Sequence, residues 1–126
     1  MSADKKKILI VDDEEALTEL LKLNLEETGR YIVEVENKGS QAFRAAQAFR
    51  PDIILLDIVM PDKEGSEVAA QIKSDPMLRD TPIVFFTATV SSDEVGRFNG
   101  VIGGQPFLAK PVTIEQIEAC VREHAR

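Results

Sequence analysis

The chain has 126 residues, 44% of them hydrophobic, and a formal net charge of -7 from 15 basic and 22 acidic side chains. At about 150 residues per domain this predicts a single domain over residues 1–126 with enough apolar material for a core, and the acidic balance argues against a nucleic-acid-binding surface, which needs a basic footprint. One cysteine, Cys120, excludes an intrachain disulfide and fits a reducing cytoplasm; one histidine, His124, excludes a multi-histidine zinc site and any histidine triad away from the chain end.

Residues 1–7 are polar and lead directly into a short apolar run, a pattern unlike a signal peptide. No apolar run reaches the ~18 residues of a membrane span. The run Ile8, Leu9, Ile10, Val11 suits a strand buried on both faces. An acidic stretch, residues 12–15, then opens a helix that places Leu17, Leu20, Leu21 and Leu25 on one face and stops at Gly29. Residues 31–35 alternate as a second strand. Ser40 is the expected cap of a helix turning Ala42, Phe43, Ala46 and Phe49 inward. Residues 53–56, the most apolar strand, belong at the centre of a sheet and end at Asp57. After a loop at residues 61–65, a helix over about residues 66–74 buries Val68 and Ile72 and ends before Pro76.

Residues 83–86 form a fourth buried strand ending at Thr87. Residues 91–104 hold a poor helix, because Gly96 and Gly100 each cost about 1 kcal/mol relative to alanine. Residues 107–109 form a short fifth strand, placed at an edge by Pro106. Thr113 and Gln116 make a capping box for a last helix with Ile114, Ile117 and Val121 inward. Five strands alternating with about five helices predict an α/β fold with a mostly parallel sheet.

Ligands bind such sheets beyond the carboxyl ends of the strands. There this chain places Asp12 and Asp13, then Asp57, then Thr87 and Ala88, then Lys110 and Pro111. Three converging carboxylates raise one another's pKa, and a divalent cation relieves the repulsion. Magnesium fits best, since it uses one or two carboxylates and accepts phosphate oxygens. Asp57 can then attack phosphorus as a nucleophile, with magnesium and Lys110 neutralising the oxygens and Thr87 donating a hydrogen bond. Taken singly, each residue has a plainer reading. Asp12 and Asp13 suit a helix N-terminus, Asp57 a turn, Thr87 a strand end and Lys110 a solvated surface. Phe107 reads equally as core or as a mobile aromatic. Cys120 reads as a small buried residue and His124 as a solvated one in the last helical turn.

The stretches ILIVDDEE at residues 8–15, PDIILLDIVMPDKEG at 51–65, PIVFFTA at 82–88 and GGQPFLAKP at 103–111 together resemble the response-regulator receiver domain, the CheY-like family, over essentially the whole chain. The resemblance implies a doubly wound five-stranded parallel sheet, flavodoxin/CheY-like, of strand order 2-1-3-4-5. It implies that Asp57 is the phosphoacceptor and that Asp12, Asp13 and Asp57, with the backbone carbonyl of Val59, hold Mg2+. It likens Thr87 to the switch hydroxyl, Lys110 to its phosphoryl-binding partner, Phe107 to the switch aromatic and Ala88 to the small residue that leaves the site open. Pro111 is expected to follow Lys110 through a cis peptide. The implied donor is a sensor histidine kinase or histidine phosphotransfer protein. The implied reader is a downstream protein target, with dimerisation on phosphorylation as one outcome, no direct nucleic acid and no membrane. The implied setting is a two-component phosphorelay in the cytoplasm.

Three departures stand out. Phe107 lacks the hydroxyl of a tyrosine, residues 91–104 are glycine-rich, and Val59 and Thr89 occupy positions that tune phosphoryl lifetime in the family. Rival readings are a haloacid dehalogenase-like phosphatase, disfavoured because Val59 stands where a second acid is needed, and a flavodoxin-like carrier, disfavoured because acids follow the first strand. A pseudo-receiver acting as a phosphorylation-independent binding or dimerisation module is the alternative. The absence of a linker after the last helix favours a stand-alone protein over an excised domain.

Overall fold

The computed structural model describes residues 5–87, 101–102 and 105–125, with Thr87, Val101, Ile102 and Gln105 described by backbone alone. The elements run β1 (Lys6–Val11), α1 (Glu15–Glu27), β2 (Tyr31–Glu36), α2 (Gly39–Phe49), β3 (Ile53–Asp57), α3 (Gly65–Ser74), β4 (Ile83–Thr87), β5 (Val101–Ile102), β6 (Gln105–Ala109) and α4 (Ile114–His124). Five parallel strands lie in the order β2-β1-β3-β4-β6, the predicted 2-1-3-4-5 pattern. A two-residue strand is added beyond the prediction. β5 pairs antiparallel with β6, Val101 opposite Pro106, so the proline-bearing strand is not outermost. Ala88, Thr89 and, apart from Val101 and Ile102, the glycine-rich residues 91–104 with their predicted helix lie outside the described residues.

The continuous apolar strands are buried on both faces. Alternate side chains of β1 divide between two cores: Leu9 and Val11 pack with Ala42, Ala46, Val68 and Ile72 of α2 and α3. Ile8 and Ile10 pack with Leu21, Leu25, Ile117 and Val121 of α1 and α4. The period-two strand geometry makes this split, and helices on both faces follow from it. Both cores meet at β3, whose five residues are all buried, which leaves Asp57 as a carboxylate at the rim of a fully apolar strand.

Two local expectations are corrected. Leu20 is 55% exposed, because the buried face of α1 runs through Thr18, Leu21 and Leu25. One residue is about 100° of helix, so Leu20 is turned out of that face. Ser40 does not cap α2. The helix begins at Gly39, and its first amides, Gly39 N and Ser40 N, donate to the two carboxylate oxygens of Asp62 at 3.1 and 3.0 Å. The capping box of α4 is present: Gln116 N donates to Thr113 Oγ1 at 3.1 Å and Thr113 N to Gln116 Oε1 at 2.8 Å.

Candidate functional site

The carboxyl ends of β1 and β3 are locked in register, Val11 opposite Leu56. Asp12 and Asp57, the next residues on each strand, therefore leave the sheet side by side. Asp13 follows from the β1–α1 turn. One carboxylate oxygen from each of Asp12, Asp13 and Asp57 lies within 4.8 Å of the others. Asp12 is fully buried, Asp57 is 4% exposed and Asp13 is exposed. Lys110 arrives from the end of β6, its Nζ 2.6 Å from Asp12 Oδ2, 2.7 Å from Glu14 Oε1 and 3.9 Å from Asp57 Oδ2. Its ammonium also sits 4.9 Å from the centroid of the Phe86 ring. The Lys110–Pro111 peptide is cis, as expected.

Burial dominates the electrostatics. It raises the Asp57 pKa to about 6, the charge of Asp12 adds to the rise, and Lys110 opposes it. Burial likewise raises Asp12, against the neighbouring ammonium of Lys110 and the hydrogen bond from Glu14 N. For Lys110 burial works against the charged form, but the contacts with Asp12 and Glu14 outweigh it and the pKa rises.

The cluster thus holds three acids against one buried ammonium, and Asp12 Oδ2 has no partner of hydrogen-bond geometry even with Nζ at 2.6 Å. Hard oxygen donors, uncompensated charge and one open carboxylate suit a divalent cation such as Mg2+. Val59 N makes a long 3.4 Å contact with Asp57 Oδ1, and the Val59 side chain is exposed at the rim. Thr87 ends β4 opposite Ala109, one residue before Lys110. Phe107 is buried, 4% exposed, in the core shared with α2 and α3, in keeping with its reading as core.

Several residues that shape the site carry no signal in the sequence. Asn37, after β2, donates from Nδ2 to the Asp12 carbonyl at 2.8 Å and to Thr18 Oγ1 at 3.0 Å. Glu14 takes one side of Lys110. Asp62 ties the loop after β3 to α2. Gly65 lies against the backbone of Asp57, and Gly65 N donates to Ile58 O at 2.7 Å. Each contact joins residues remote in sequence or pressed backbone to backbone, where residue type alone says little. The glycine that closes the loop after Asp57 is the one legible hint.

A cleft of about 560 Å3 lies at the opposite, amino-terminal edge of the strands, beside Lys5, Arg30, Tyr31 and Arg122, remote from the acids. Cys120 is buried, and burial raises its thiol to about 11, so it is a poor nucleophile.

Residues 8–122 match the model of the response regulator receiver domain. The chain is 35% identical over 118 residues to the alkaline phosphatase synthesis transcriptional regulatory protein PhoP of Bacillus subtilis (strain 168), covering 93% of this chain and 47% of that protein. It spans about half the length of the curated relatives it matches. It is similar to the chemotaxis protein CheY4 of Vibrio cholerae, with a TM-score of 0.80 at 28% identity over 95% of this chain and 98% of that one. It is also similar to the receiver domain of the sensor histidine kinase PA1611 of Pseudomonas aeruginosa PAO1, solved with a magnesium ion in its active site cleft, with a TM-score of 0.78 at 26% identity over 95% and 97% of the two chains. A family match over nearly the whole chain, a sheet of the family's order and an acid cluster suited to Mg2+ agree: the chain belongs to the response regulator receiver domain family, with a phosphoacceptor function that acts on its own phosphorylation state.

Proposed function

We propose that residues 1–126 act as one receiver domain in which Asp57 is the phosphoacceptor. The observation that carries this reading is a 4%-exposed carboxylate with its pKa raised to about 6, set between two further acids and 3.9 Å from an ammonium. An Asp57 carboxylate oxygen bonds to phosphorus while the P–N bond of a phosphohistidine donor breaks. The electron pair stays on the imidazole nitrogen, which takes up a proton. Asp12, Asp13 and Asp57, with the Val59 carbonyl, would hold Mg2+, whose charge offsets that of the carboxylates and of the phosphoryl oxygens. Lys110 supplies a second positive charge to those oxygens, Thr87 supplies a hydroxyl, and Ala88 leaves room for them.

Phosphorylation adds about -1.5 to -2 charge at a site that is already acidic. Lys110 and Thr87 turn toward the new oxygens, and Phe107 acts as the aromatic that follows Thr87. The surface beyond β4 and β6 changes population, and a partner preferring one state reads it. The donor is a sensor histidine kinase or histidine phosphotransfer protein. The output is a downstream protein or a second copy of the chain. Among the described residues no helix is long and apolar enough to cross a membrane, and the lone cysteine is free, which supports a cytoplasmic setting.

Intact mass after incubation with magnesium and acetyl phosphate tests the reading. One phosphoryl group should appear, and it should be absent without magnesium and absent in Asp57→Asn. No adduct under conditions that label a known receiver by its donor kinase as well as by acetyl phosphate would favour a phosphorylation-independent binding module.

A further inference from the structure

Glu14 occupies the N-cap position of α1, yet its side chain makes no capping hydrogen bond. It reaches instead to a lysine 96 positions away, accepting from Lys110 Nζ at 2.7 Å. Lys110 is only 11% exposed at its side chain and shares its ammonium between Asp12 and Glu14, leaving Asp57 the most distant of the three at 3.9 Å. The side chain of Glu14 is 60% exposed, so this is the open half of a half-buried network.

We infer that Glu14 is a positioning residue that restrains Lys110 in the unphosphorylated domain and competes with the phosphoryl group for it. The inference rests on Asp57 being the phosphoacceptor. Asp12 and Glu14 lie closest to the Lys110 ammonium, so phosphoryl oxygens on Asp57 have to compete with these carboxylates for it. Asp12 belongs to the acid cluster, so a divalent cation held there engages its charge. Glu14 is not among the three clustered acids and keeps its hold on the lysine. The Glu14 side of the pair is open to solvent, so its influence is graded. Exposed ion pairs shift an equilibrium by about two- to five-fold. Glu14 therefore sets how readily the domain takes and holds a phosphoryl group, and the residue at this position adjusts it without altering the acids themselves.

The test is a double-mutant cycle of Glu14→Gln and Lys110→Ala with two readouts. The first is the rate of phosphorylation by acetyl phosphate at saturating magnesium, followed by intact mass. In that reaction the Asp57 oxygen bonds to phosphorus and acetate leaves. Glu14→Gln should label about two- to five-fold faster than the parent, with the gain shrinking as sodium chloride is raised and vanishing in the Lys110→Ala background. Equal rates overturn the inference. So does a gain that persists without Lys110, since Glu14 then acts only by repelling the anionic donor.

The second readout is urea unfolding of the metal-free, unphosphorylated proteins, which needs no donor. A coupling of about two- to five-fold in the unfolding constant is expected, and no coupling overturns the restraint. Coupling in urea with no labelling of any protein would instead overturn the role of Asp57 and leave the Glu14–Lys110 restraint standing.

Discussion

Gly65 and Asp57 touch backbone to backbone: a Cβ on Gly65 would collide with the Asp57 carbonyl oxygen and lie 2.8 Å from the Cα of Ile58. The first residue of α3 therefore seats the acid at the end of β3, and the position has room for no side chain. Gly65→Ala should cost about 1–3 kcal/mol in urea unfolding, the range for forced overpacking. It should also weaken magnesium binding, measured by calorimetry, because the strand end has to shift to admit the methyl group. An alanine variant of unchanged stability and magnesium affinity would contradict the contact.

The raised pKa of Asp57 makes stability depend on pH in a definite direction. The ordinary value is 3.8 and the folded value about 6, so the folded chain binds the proton more tightly than the unfolded one. The stability contributed by the protonated acid is complete below pH 4 and is lost as pH rises through 6. Two units correspond to about 3 kcal/mol at most. Metal-free protein should therefore lose stability between pH 4 and 7, and Asp57→Asn should flatten that slope and unfold at higher urea near pH 7.5. Magnesium should restore stability to the parent and much less to the variant. A metal-free Asp57→Asn protein less stable than the parent at pH 7.5 would reverse the sign.

Asn37 holds the Asp12 carbonyl and the buried Thr18 hydroxyl with one amide nitrogen, joining the ends of β1 and β2 to α1. Asn37→Ala leaves both acceptors short of a partner and should cost about 1–3 kcal/mol. Because Asp12 is one of the clustered acids, magnesium affinity should fall as well. Asn37→Asp, which cannot donate while ionised, should behave no better than alanine.

Asp62 caps α2 from another loop, and its pKa is lowered by the hydrogen bonds from Ser40 and Gly39. A lowered carboxyl stabilises the fold above its ordinary pKa, and that contribution is lost on acidification through the lowered value. Amide exchange at Gly39 and Ser40 should accelerate in Asp62→Ala and be largely retained in Asp62→Asn, which keeps an acceptor oxygen. Equal protection in all three proteins would show that the cap does not hold the helix start.

The strands and their ends are legible in the amino-acid sequence because their signals are local. Four apolar residues in a row specify a strand buried on both faces, and an acid immediately after such a run has to stand at the sheet edge. Hence Asp12, Asp57 and Lys110 can be placed together from residues 8–11, 53–56 and 107–109. The capping box of Thr113 and Gln116 is legible for the same reason, both partners lying within one helical turn.

Tertiary structure decided what depends on the angle of a face or on a partner far along the chain. The exposure of Leu20, which helical spacing assigns to the inward face, follows from how α1 is rotated against the sheet. Asp62 displaced Ser40 as the cap of α2 because the loop after β3 folds back across 22 residues. Lys110 could have paired with any of the acids at the sheet edge. It rests on Asp12 and Glu14, since only packing sets which carboxylate oxygens come within 3 Å of its ammonium. Composition and periodicity determine which groups reach the edge of the sheet, because they act over one strand or one turn. Which of those groups meet is decided by distances between elements, and these exist only once both cores have closed.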